Sequence, residues 1–576
     1  MAEPRAPWRR LDVALLGAAL ALSFAVHAPA LGSSFAGDDQ ILLYDAANMP
    51  LGEYLLDMHG GHLMPVHKLV IVAMHRVFGY RAAPFFALAL ATHLLNVALL
   101  YVGLRHVASA VPAAFGSALW GAAVIHQSSL AWFSVYGQIL VVTCLLFVWL
   151  SWLRLDAARG APGARTLVVW NLLLIAAGAA FGTGIALAVA APLLAWAFVD
   201  PPAHRRAGLG LLPAACLVPA LYVVAFLVSR PLSSPLAASF EPGLAARLLF
   251  ALPAAGIATL GFGAAATQDA GRILAGPFVG ARIEAVFPLL RNAALALVLP
   301  LLAALWFAAG PLRRRALGAA LIALAVYALV ALGRAEFVPL MSAARVASEP
   351  RFHDAALIGA AMGIACSLAA FRGALARRGG LGGGGAGAVL GASVLACWLA
   401  LLGASALPVS RTLQAKNFAP AAIALRNDLA ALEAVIASAP PGEVYVINRE
   451  YDGTRWLFDM RGRPDRFPGL AALFVVTHEE DELDGRRVRF VEDRKQVLET
   501  IRARPQRRVA RLLVSRAEAK AAGVRFYHVP LRRGYVPPTP AYRRRGPSSR
   551  RRPVARRAAF PAPRMRRRGR PAPRAG

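Results

Sequence analysis

The sequence predicts an all-α polytopic membrane protein, a chain whose helices cross a lipid bilayer many times. Of its 576 residues, 58% are hydrophobic and only 16% are charged, whereas soluble proteins carry about 25% charged residues. Apolar runs recur as far as about residue 407, and a bilayer core requires about 20 apolar residues in a helix. The four cysteines lie in these runs without a Cys-x-x-Cys pair, so we interpret them as buried residues and not as a disulfide or metal framework.

About eleven of the apolar runs are predicted to be transmembrane helices. The first follows a basic amino terminus and is longer than the apolar core of a signal peptide, which has about 7–15 residues, so we expect it to be retained. The predicted spans lie near residues 11–31, 83–104, 110–125, 135–153, 166–181, 184–200, 208–229, 285–309, 316–333, 355–371 and 386–407.

A further apolar stretch, 245–267, is ambiguous, and we interpret it with the positive-inside rule. If it does not cross, the predicted inside loops hold 15 Lys and Arg residues with 3 acids, and the outside loops hold 10 with 11 acids. If it does cross, the basic segment PLRRR at 311–315 moves outside. We therefore expect an outside loop over 245–284 with a re-entrant or surface-lying helix, an inside amino terminus and an outside carboxyl terminus.

The composition of the chain changes after residue 410. Residues 1–410 form the predicted membrane domain, and its first outside loop covers 32–82. Segments such as GEVYVIN and RRVRFVED are typical of strands and predict a small extracytoplasmic α/β domain over 411–530. Residues 531–576 are predicted to be a disordered basic tail, since positions 541–576 hold 14 arginines and no acid. Such a tail could bind anionic lipid or nucleic acid, but we expect no nucleic-acid partner.

Two adjacent carboxylates, Asp38 and Asp39, follow the first span in the stretch FAGDDQILLY. Carboxylates near a membrane surface are costly unless they are hydrated, paired or functional. The pair could provide a general base for a substrate at the membrane surface, with or without a divalent metal. The alternative is a solvated loop or a helix cap, since Asp is common at both.

A histidine-rich stretch, DMHGGHLMPVHKL, lies in the same predicted loop. It carries His59, His62 and His67, which could bind zinc. Their spacing matches no strong zinc signature, and loop histidines are more often polar surface groups. We therefore assign no metal ligand, and whether a cofactor such as a divalent ion is needed stays open.

Two more stretches place polar side chains in predicted outside loops. HQSSLAWFSVYGQ contains candidate substrate-binding residues, for which a belt of interfacial aromatic side chains is the alternative. The late loop LGRAEFVPLMSAARVASEPRFHD carries three arginines, which suit bidentate contacts to phosphate or could pair with neighbouring acids. The candidates in the two stretches are His126, Gln127, Trp132, Tyr136, Arg334, Arg345 and Arg351.

Taken in order, these stretches resemble the multi-spanning glycosyltransferases of the GT-C fold, and above all the protein O-mannosyltransferase-like group with its bacterial relatives. The likeness covers about residues 10–370. It is carried by the stretches FAGDDQILLY, GHLMPVHKL with the following FGYRAAPFFALALATHLLNVALLY, HQSSLAWFSVYGQ, FGTGIALAVAAPLLAW and EPRFHDAAL.

The resemblance implies transfer of a sugar from a polyprenyl-phosphate donor to an acceptor glycan, lipid or protein, on the outer face of a bacterial plasma (inner) membrane. It implies that Asp38 or Asp39 is the general base and that an arginine such as Arg345 or Arg351 holds the leaving phosphate. The other residues expected to contact substrate are His62, His126, Gln127, Trp132 and Tyr136.

Two alternative functions remain open. One is a transporter or flippase for a lipid-linked substrate, although the spans contain few charges and show no clear internal repeat. The other is a non-catalytic membrane protein, because the segment from Gly182 to Gly184 has no charged side chain where the resembling enzymes often have one.

Overall fold

The computed structural model describes residues 10–35, 38–199 without 159, 201–229, 242–262, 310–335, 343–377 without 348, 442–447 and 482–491, with single residues at 338 and between 393 and 478. All of them belong to the first of two units of the chain, residues 1–531. The predicted basic tail, the predicted span 285–309 and most of the predicted span 386–407 lie outside the described residues.

The described part of the chain is helical as far as residue 377. Its α-helices are α1 (Arg10–His27), α2 (Asp38–Asn48), α3 (Leu51–Leu56), α4 (Pro65–Phe78), α5 (Ala82–Arg105), α6 (Ala110–Gly121), α7 (His126–Ala131), α8 (Gly137–Ala158), α9 (Ala164–Ala180), α10 (Thr183–Phe198), α11 (Pro201–Gly210), α12 (Leu212–Ser229), α13 (Pro242–Phe262), α14 (Gly310–Arg334), α15 (Ala343–Ala347) and α16 (Asp354–Arg377).

Seven apolar segments among the described residues are long enough to cross a membrane, which confirms a polytopic α-helical membrane protein. The count of eleven spans stays a prediction, because α9 and α10 have only 17 and 16 residues and α6 has 12. The seven segments are Arg10–Gly32, Ala82–Arg105, Phe133–Leu155, Ala203–Val228, Pro242–Leu260, Gly310–Arg334 and Asp354–Phe371.

The spans are apolar on more than one face because both lipid and neighbouring helices are apolar surroundings. On α12, for example, Val223, Val224 and Val228 are all more than half exposed, as suits a surface covered by acyl chains. Small residues line the helix contacts instead: Gly359 of α16 lies against the backbone of Ala319 in α14. Close approach of backbones through small residues is typical of helices packed in membranes.

Contacts between distant residues define the two ends of the helix bundle. At one end, Arg105 Nε donates a hydrogen bond to Asp12 Oδ1 at 2.5 Å, which joins the end of α5 to the start of α1. At the other end, Arg334 at the end of α14 donates to His62 at 3.1 Å. We call this second end the site end, and the first the far end.

Helix α13 has the length and hydropathy of a span, although we expected this segment to lie outside the membrane. Helix α12 runs toward the site end, where the Tyr222 hydroxyl hydrogen-bonds the backbone of Leu63. Helix α14 begins at the far end, where Gly318 packs on Phe198. If α13 and the predicted span 285–309 both crossed, α14 would begin at the site end. The ends of α12 and α14 therefore require an odd number of crossings between them, which α13 alone would satisfy. A non-crossing α13 stays a prediction.

Three strands follow the helices: β1 (Gly442–Ile447), β2 (Glu482–Leu483) and β3 (Arg486–Val491). β3 is the central strand, parallel to β1 and antiparallel to β2. Two of the predicted strands, GEVYVIN and RRVRFVED, are therefore confirmed. The other predicted elements of 411–530 lie almost wholly outside the described residues, so the α/β domain stays a prediction.

Candidate functional site

A tight turn between α3 and α4 shapes the site end. The backbones of His59 and His62 pair through two hydrogen bonds of 3.1 and 2.9 Å. The residues between them, Gly60 and Gly61, have φ values of +55° and +80°. Two successive positive φ angles are the geometry of a type I′ turn, and glycine adopts it at no steric cost. The sequence HGGH therefore fixes the backbone position of both histidines.

Lys68 of α4 holds the segment that precedes this turn. Its ammonium group is fully buried and donates to the carbonyl oxygens of Tyr54 at 2.6 Å and Asp57 at 2.8 Å. The carboxylate of Asp57 lies 3.8 Å away. A buried charge is tolerated when it is paired and hydrogen-bonded in this way. Lys68 thus stabilises the loop and does not face a substrate.

Asp38 opens α2 with an accessible carboxylate. Its side chain is 41% exposed, and its Oδ2 lies 3.5 Å from Nε2 of the buried His59. Burial would raise the pKa of Asp38, but the hydrogen bond and charge of His59, with the charge of Arg351, outweigh it and hold the pKa below its usual value. Asp38 is therefore an ionised group that solvent and a substrate can reach.

Asp39 has a different environment from its neighbour. Its side chain is buried, and Oδ1 accepts the backbone N–H of Ser134 at 2.6 Å. Ser134 belongs to the short 3-10 helix Phe133–Val135, so this bond joins α2 to the turn before α8. Of the two predicted bases, Asp38 therefore has the accessible carboxylate, whereas Asp39 is buried and joins α2 to the turn before α8.

The late loop brings Arg351 to the same region. Its guanidinium carbon lies 5.4 Å from the ring centre of Trp132 and 5.4 Å from that of Phe352, within the range of a cation–π interaction. Its charge acts on both Asp38 and His62. Segments far apart in sequence thus meet at the site end, as the sequence predicted for Asp38 and Arg351.

Arg334 and His62 form a second contact between early and late segments. Arg334 Nη2 donates to His62 Nε2 at 3.1 Å, and the His62 ring stacks on Phe181 with the ring centres 4.3 Å apart. Burial lowers the pKa of His62 to about 3, and the charges of Arg334 and His59 contribute. His62 is therefore neutral at physiological pH.

The predicted substrate contacts His126 and Gln127 lie in the protein interior, each 1% exposed. His126 Nδ1 lies 2.7 Å from Asp354 Oδ1, and Nε2 lies 2.8 Å from the carbonyl oxygen of Trp120. Ser129 donates to the second oxygen of Asp354. Since both side chains are enclosed, we remove His126 and Gln127 from the expected substrate contacts.

Two further histidines surround His126 and complete a group that we call the buried imidazole cluster: His27, His93, His126 and Asp354. His27 and His93 both hydrogen-bond the carbonyl oxygen of Gly121 through Nε2, at 3.0 and 2.8 Å. Their ring centres lie 5.9 and 4.5 Å from that of His126. We did not predict this cluster from the sequence, although ionisable residues inside predicted spans are a signal for one.

The two remaining predicted residues have separate outcomes. Tyr136 is buried, its hydroxyl lies 3.0 Å from Thr92 Oγ1, and its ring stacks on Phe133. It therefore supports the 3-10 turn that binds Asp39. Arg345 lies in α15, but its side chain is outside the described residues, so a phosphate contact there stays a prediction.

Side-chain contacts among the described residues, and not a bound group, define the candidate site at the site end. Among the described residues, no three His, Cys, Asp or Glu side chains are grouped so that they could hold a metal ion. An apolar cavity lined by residues such as Leu119, Ala122 and Leu260 shares no lining residue with the region of Asp38 and Arg351. The candidate site is therefore the group Asp38, His59, His62, Arg334 and Arg351, which contact one another or interact through their charges.

Comparison with known proteins does not assign the chain to a family. No protein-family model matches the chain, and no curated protein matches it significantly. The function must therefore be argued from the residues of the candidate site.

Proposed function

We propose that this chain is an integral-membrane glycosyltransferase of GT-C type, which moves a sugar from a polyprenyl-phosphate donor to an acceptor glycan, lipid or protein outside a bacterial plasma membrane. One observation supports the proposal above all others. The accessible carboxylate of Asp38 and the guanidinium of Arg351 lie at one end of an apolar helix bundle, close enough for their charges to interact.

The chemistry needs an acid–base group and a cation on the two sides of the reacting carbon. Asp38 accepts the proton of an acceptor hydroxyl while that oxygen forms a bond to the anomeric carbon of the sugar. The bond from the anomeric carbon to the phosphate oxygen breaks, and the polyprenyl phosphate leaves with the electron pair. Arg351 stabilises the negative charge that develops on this phosphate.

The location suits a substrate with a lipid tail. Helix α4 begins directly after the turn that carries His62, and it exposes Leu69, Val77 and Phe78 beside the basic Arg76. Helices of this composition lie in the membrane interface. A polyprenyl chain could remain in the bilayer while its phosphate and sugar reach Asp38.

Transfer by purified protein in nanodiscs tests the proposal. We expect the wild-type protein to consume a labelled polyprenyl-phosphate sugar, and D38N to be at least about 100-fold slower, the usual contribution of a general base. D39N is the matched control. It should lower the melting temperature, because the charged oxygen that accepts the Ser134 N–H becomes a neutral amide oxygen, which is a weaker acceptor. Transfer by D38N at the wild-type rate would remove Asp38 from the mechanism, and wild-type inactivity with every polyprenyl-phosphate sugar would count against the function.

A transporter or flippase is the second candidate, and the buried imidazole cluster is the observation that favours it. Ionisable groups inside membrane spans are typical of proton relays in transporters. Uptake of a lipid-linked substrate into sealed vesicles without chemical change would support this function. If the folded protein neither transfers nor moves any lipid-linked donor, a non-catalytic role is the remaining candidate.

A further inference from the structure

The far end of the bundle carries two adjacent arginines at the start of a membrane-length segment. Arg205 and Arg206 lie in the first half of α11, which begins just after Phe198 at the far end, and both side chains are exposed. Among the described residues, neither guanidinium group forms an ion pair with a carboxylate. Both cations are therefore accessible to a ligand outside the bundle.

Packing of α11 fixes the direction in which the two arginines point. A Cβ atom added to Gly208 would lie 3.2 Å from the carbonyl oxygen of Pro192, so α11 lies closely against α10. Asn171 of α9 donates to the carbonyl oxygen of Gly210 at 2.8 Å and accepts the backbone N–H of Ala214 at 2.9 Å. These bonds hold the joint between α11 and α12, and they keep the opposite face of α11 turned away from the protein.

Exposed apolar side chains continue from the arginines along the same helix face. Leu209 lies about one turn after Arg206, and Leu217 and Val224 lie about three and about five turns after it. All three side chains are about half exposed. They belong to Ala203–Val228, one of the seven segments that are long and apolar enough to cross a membrane. The cations thus stand at the end of a stripe that suits acyl chains.

An exposed tryptophan flanks the arginines. Trp196 of α10 is about half exposed, and its ring centre lies 6.5 Å from that of His204, the residue before Arg205. Tryptophan is enriched where a membrane meets water, at the level of the lipid headgroups. The arginines therefore lie at headgroup level, where a guanidinium group can bind a phosphate through two parallel hydrogen bonds.

We propose that this surface binds an anionic phospholipid of the inner leaflet, and we call it the far-end lipid surface: Trp196, Arg205, Arg206, Leu209 and Leu217. The guanidinium groups bind the headgroup phosphate, and an acyl chain lies along the leucines. A headgroup with a net negative charge is favoured, because two adjacent cations repel the ammonium group of a zwitterionic lipid. The apolar stripe favours a lipid over a soluble anion. This binding does not depend on the proposed function.

Native mass spectrometry of the purified protein, titrated with phosphatidylglycerol in detergent, tests the proposal. We expect R205A/R206A to bind this lipid at least about tenfold more weakly than the wild type, since each arginine near an anionic headgroup contributes several-fold in affinity. Because both side chains are exposed, the melting temperature should not change. R205K/R206K should bind with intermediate affinity, because lysine keeps the charge and lacks the planar fork.

The matched control removes the same charge from the same end of the bundle. Arg154 of α8 and Arg165 of α9 are also exposed, and they lie at the far end because Trp152 stacks on Phe198. R154A/R165A should bind phosphatidylglycerol within about twofold of the wild type if Arg205 and Arg206 form a specific site. An equal loss in both double variants would show a diffuse attraction to the surface and would overturn the proposal.

The choice of probe separates the other outcomes. Phosphatidylcholine with the same acyl chains should bind the wild type and R205A/R206A equally. An excess of glycerol phosphate should not displace phosphatidylglycerol from the wild type, and displacement would overturn the assignment to a lipid. Wild-type affinity for phosphatidylglycerol in the folded R205A/R206A variant would remove the two arginines from lipid binding altogether.

Discussion

Two histidine–aspartate pairs in this protein show how one chemical motif serves two purposes. In the buried imidazole cluster, His126 and Asp354 lie 2.7 Å apart and both side chains are 2% exposed. In the candidate site, His59 and Asp38 lie 3.5 Å apart, and the carboxylate is 41% exposed. The first pair is closed to any ligand, whereas the second leaves a carboxylate that can react.

The hydrogen bonds of the two carboxylates explain the difference. Each oxygen of Asp354 has a protein donor, from His126 and from Ser129. Among the described residues, the Asp38 carboxylate forms an ion pair with His59 alone, at 3.5 Å, and the Nδ1 atom of His59 has no hydrogen-bond partner. Buried polar groups whose hydrogen bonds are all formed, such as Asp354, stabilise a unique packing. An accessible carboxylate with fewer hydrogen bonds, such as Asp38, can interact with a substrate.

The largest expected effect is the loss of the buried pair. D354A removes the partner of His126 and of Ser129, and breaking one side of a buried pair costs about 3 to 5 kcal/mol. Thermal unfolding in detergent, followed by tryptophan fluorescence, should show a large fall in melting temperature. D38A is the matched control, since its half-exposed carboxylate should alter the melting temperature little. Equal melting of D354A and the wild type would contradict the structural role of the cluster.

An intermediate effect is expected at Arg351. R351A removes the cation beside Trp132 and should raise the KM for a polyprenyl-phosphate sugar by about tenfold, because a hydrogen bond to a charged group is lost. R351K should bring the KM only part of the way back to the wild-type value, since lysine lacks the planar group that lies over the aromatic ring of Trp132. Unfolding measurements should show little change. If R351A melts far below the wild type with an unchanged KM, Arg351 has a structural role, like that of His126 and Asp354, and does not bind the donor.

The smallest expected effect is a shift in pH dependence at His59. Because the pKa of Asp38 lies below its usual value, the ionised base persists as the pH falls and activity is lost only below the usual carboxyl range. His59 contributes most to this lowering, so H59Q should raise the pKa of Asp38 and move the acid limb of the rate profile to higher pH. An acid limb that does not move in H59Q would show that another group controls it.

Sequence reasoning predicted the membrane-spanning character because hydropathy is a local property of each segment. It also predicted that the early acids and the late arginines would be near each other, and the structure places Asp38 and Arg351 accordingly. It did not separate Asp38 from Asp39, because that difference depends on the backbone N–H of Ser134, 95 residues away.

The buried imidazole cluster was beyond sequence reasoning for a similar reason. His126 and Asp354 are 228 residues apart, and only the packing of α7 against the start of α16 shows that they are partners. The hydrogen bond from Arg334 to His62 likewise joins residues that are 272 positions apart. Pairings over such distances leave no periodic pattern in a single sequence.

The central claim is that the first loop and the late loop share one compartment on the outer face of the membrane, and cysteine labelling tests it most directly. In a variant without the four native cysteines, single cysteines would replace Leu56, Glu349 and, at the far end, Ser109. A membrane-impermeant maleimide should label positions 56 and 349 in intact spheroplasts, and position 109 only after the membrane is opened. Labelling of 56 and 349 from opposite faces, or of both from the inside alone, would contradict the account.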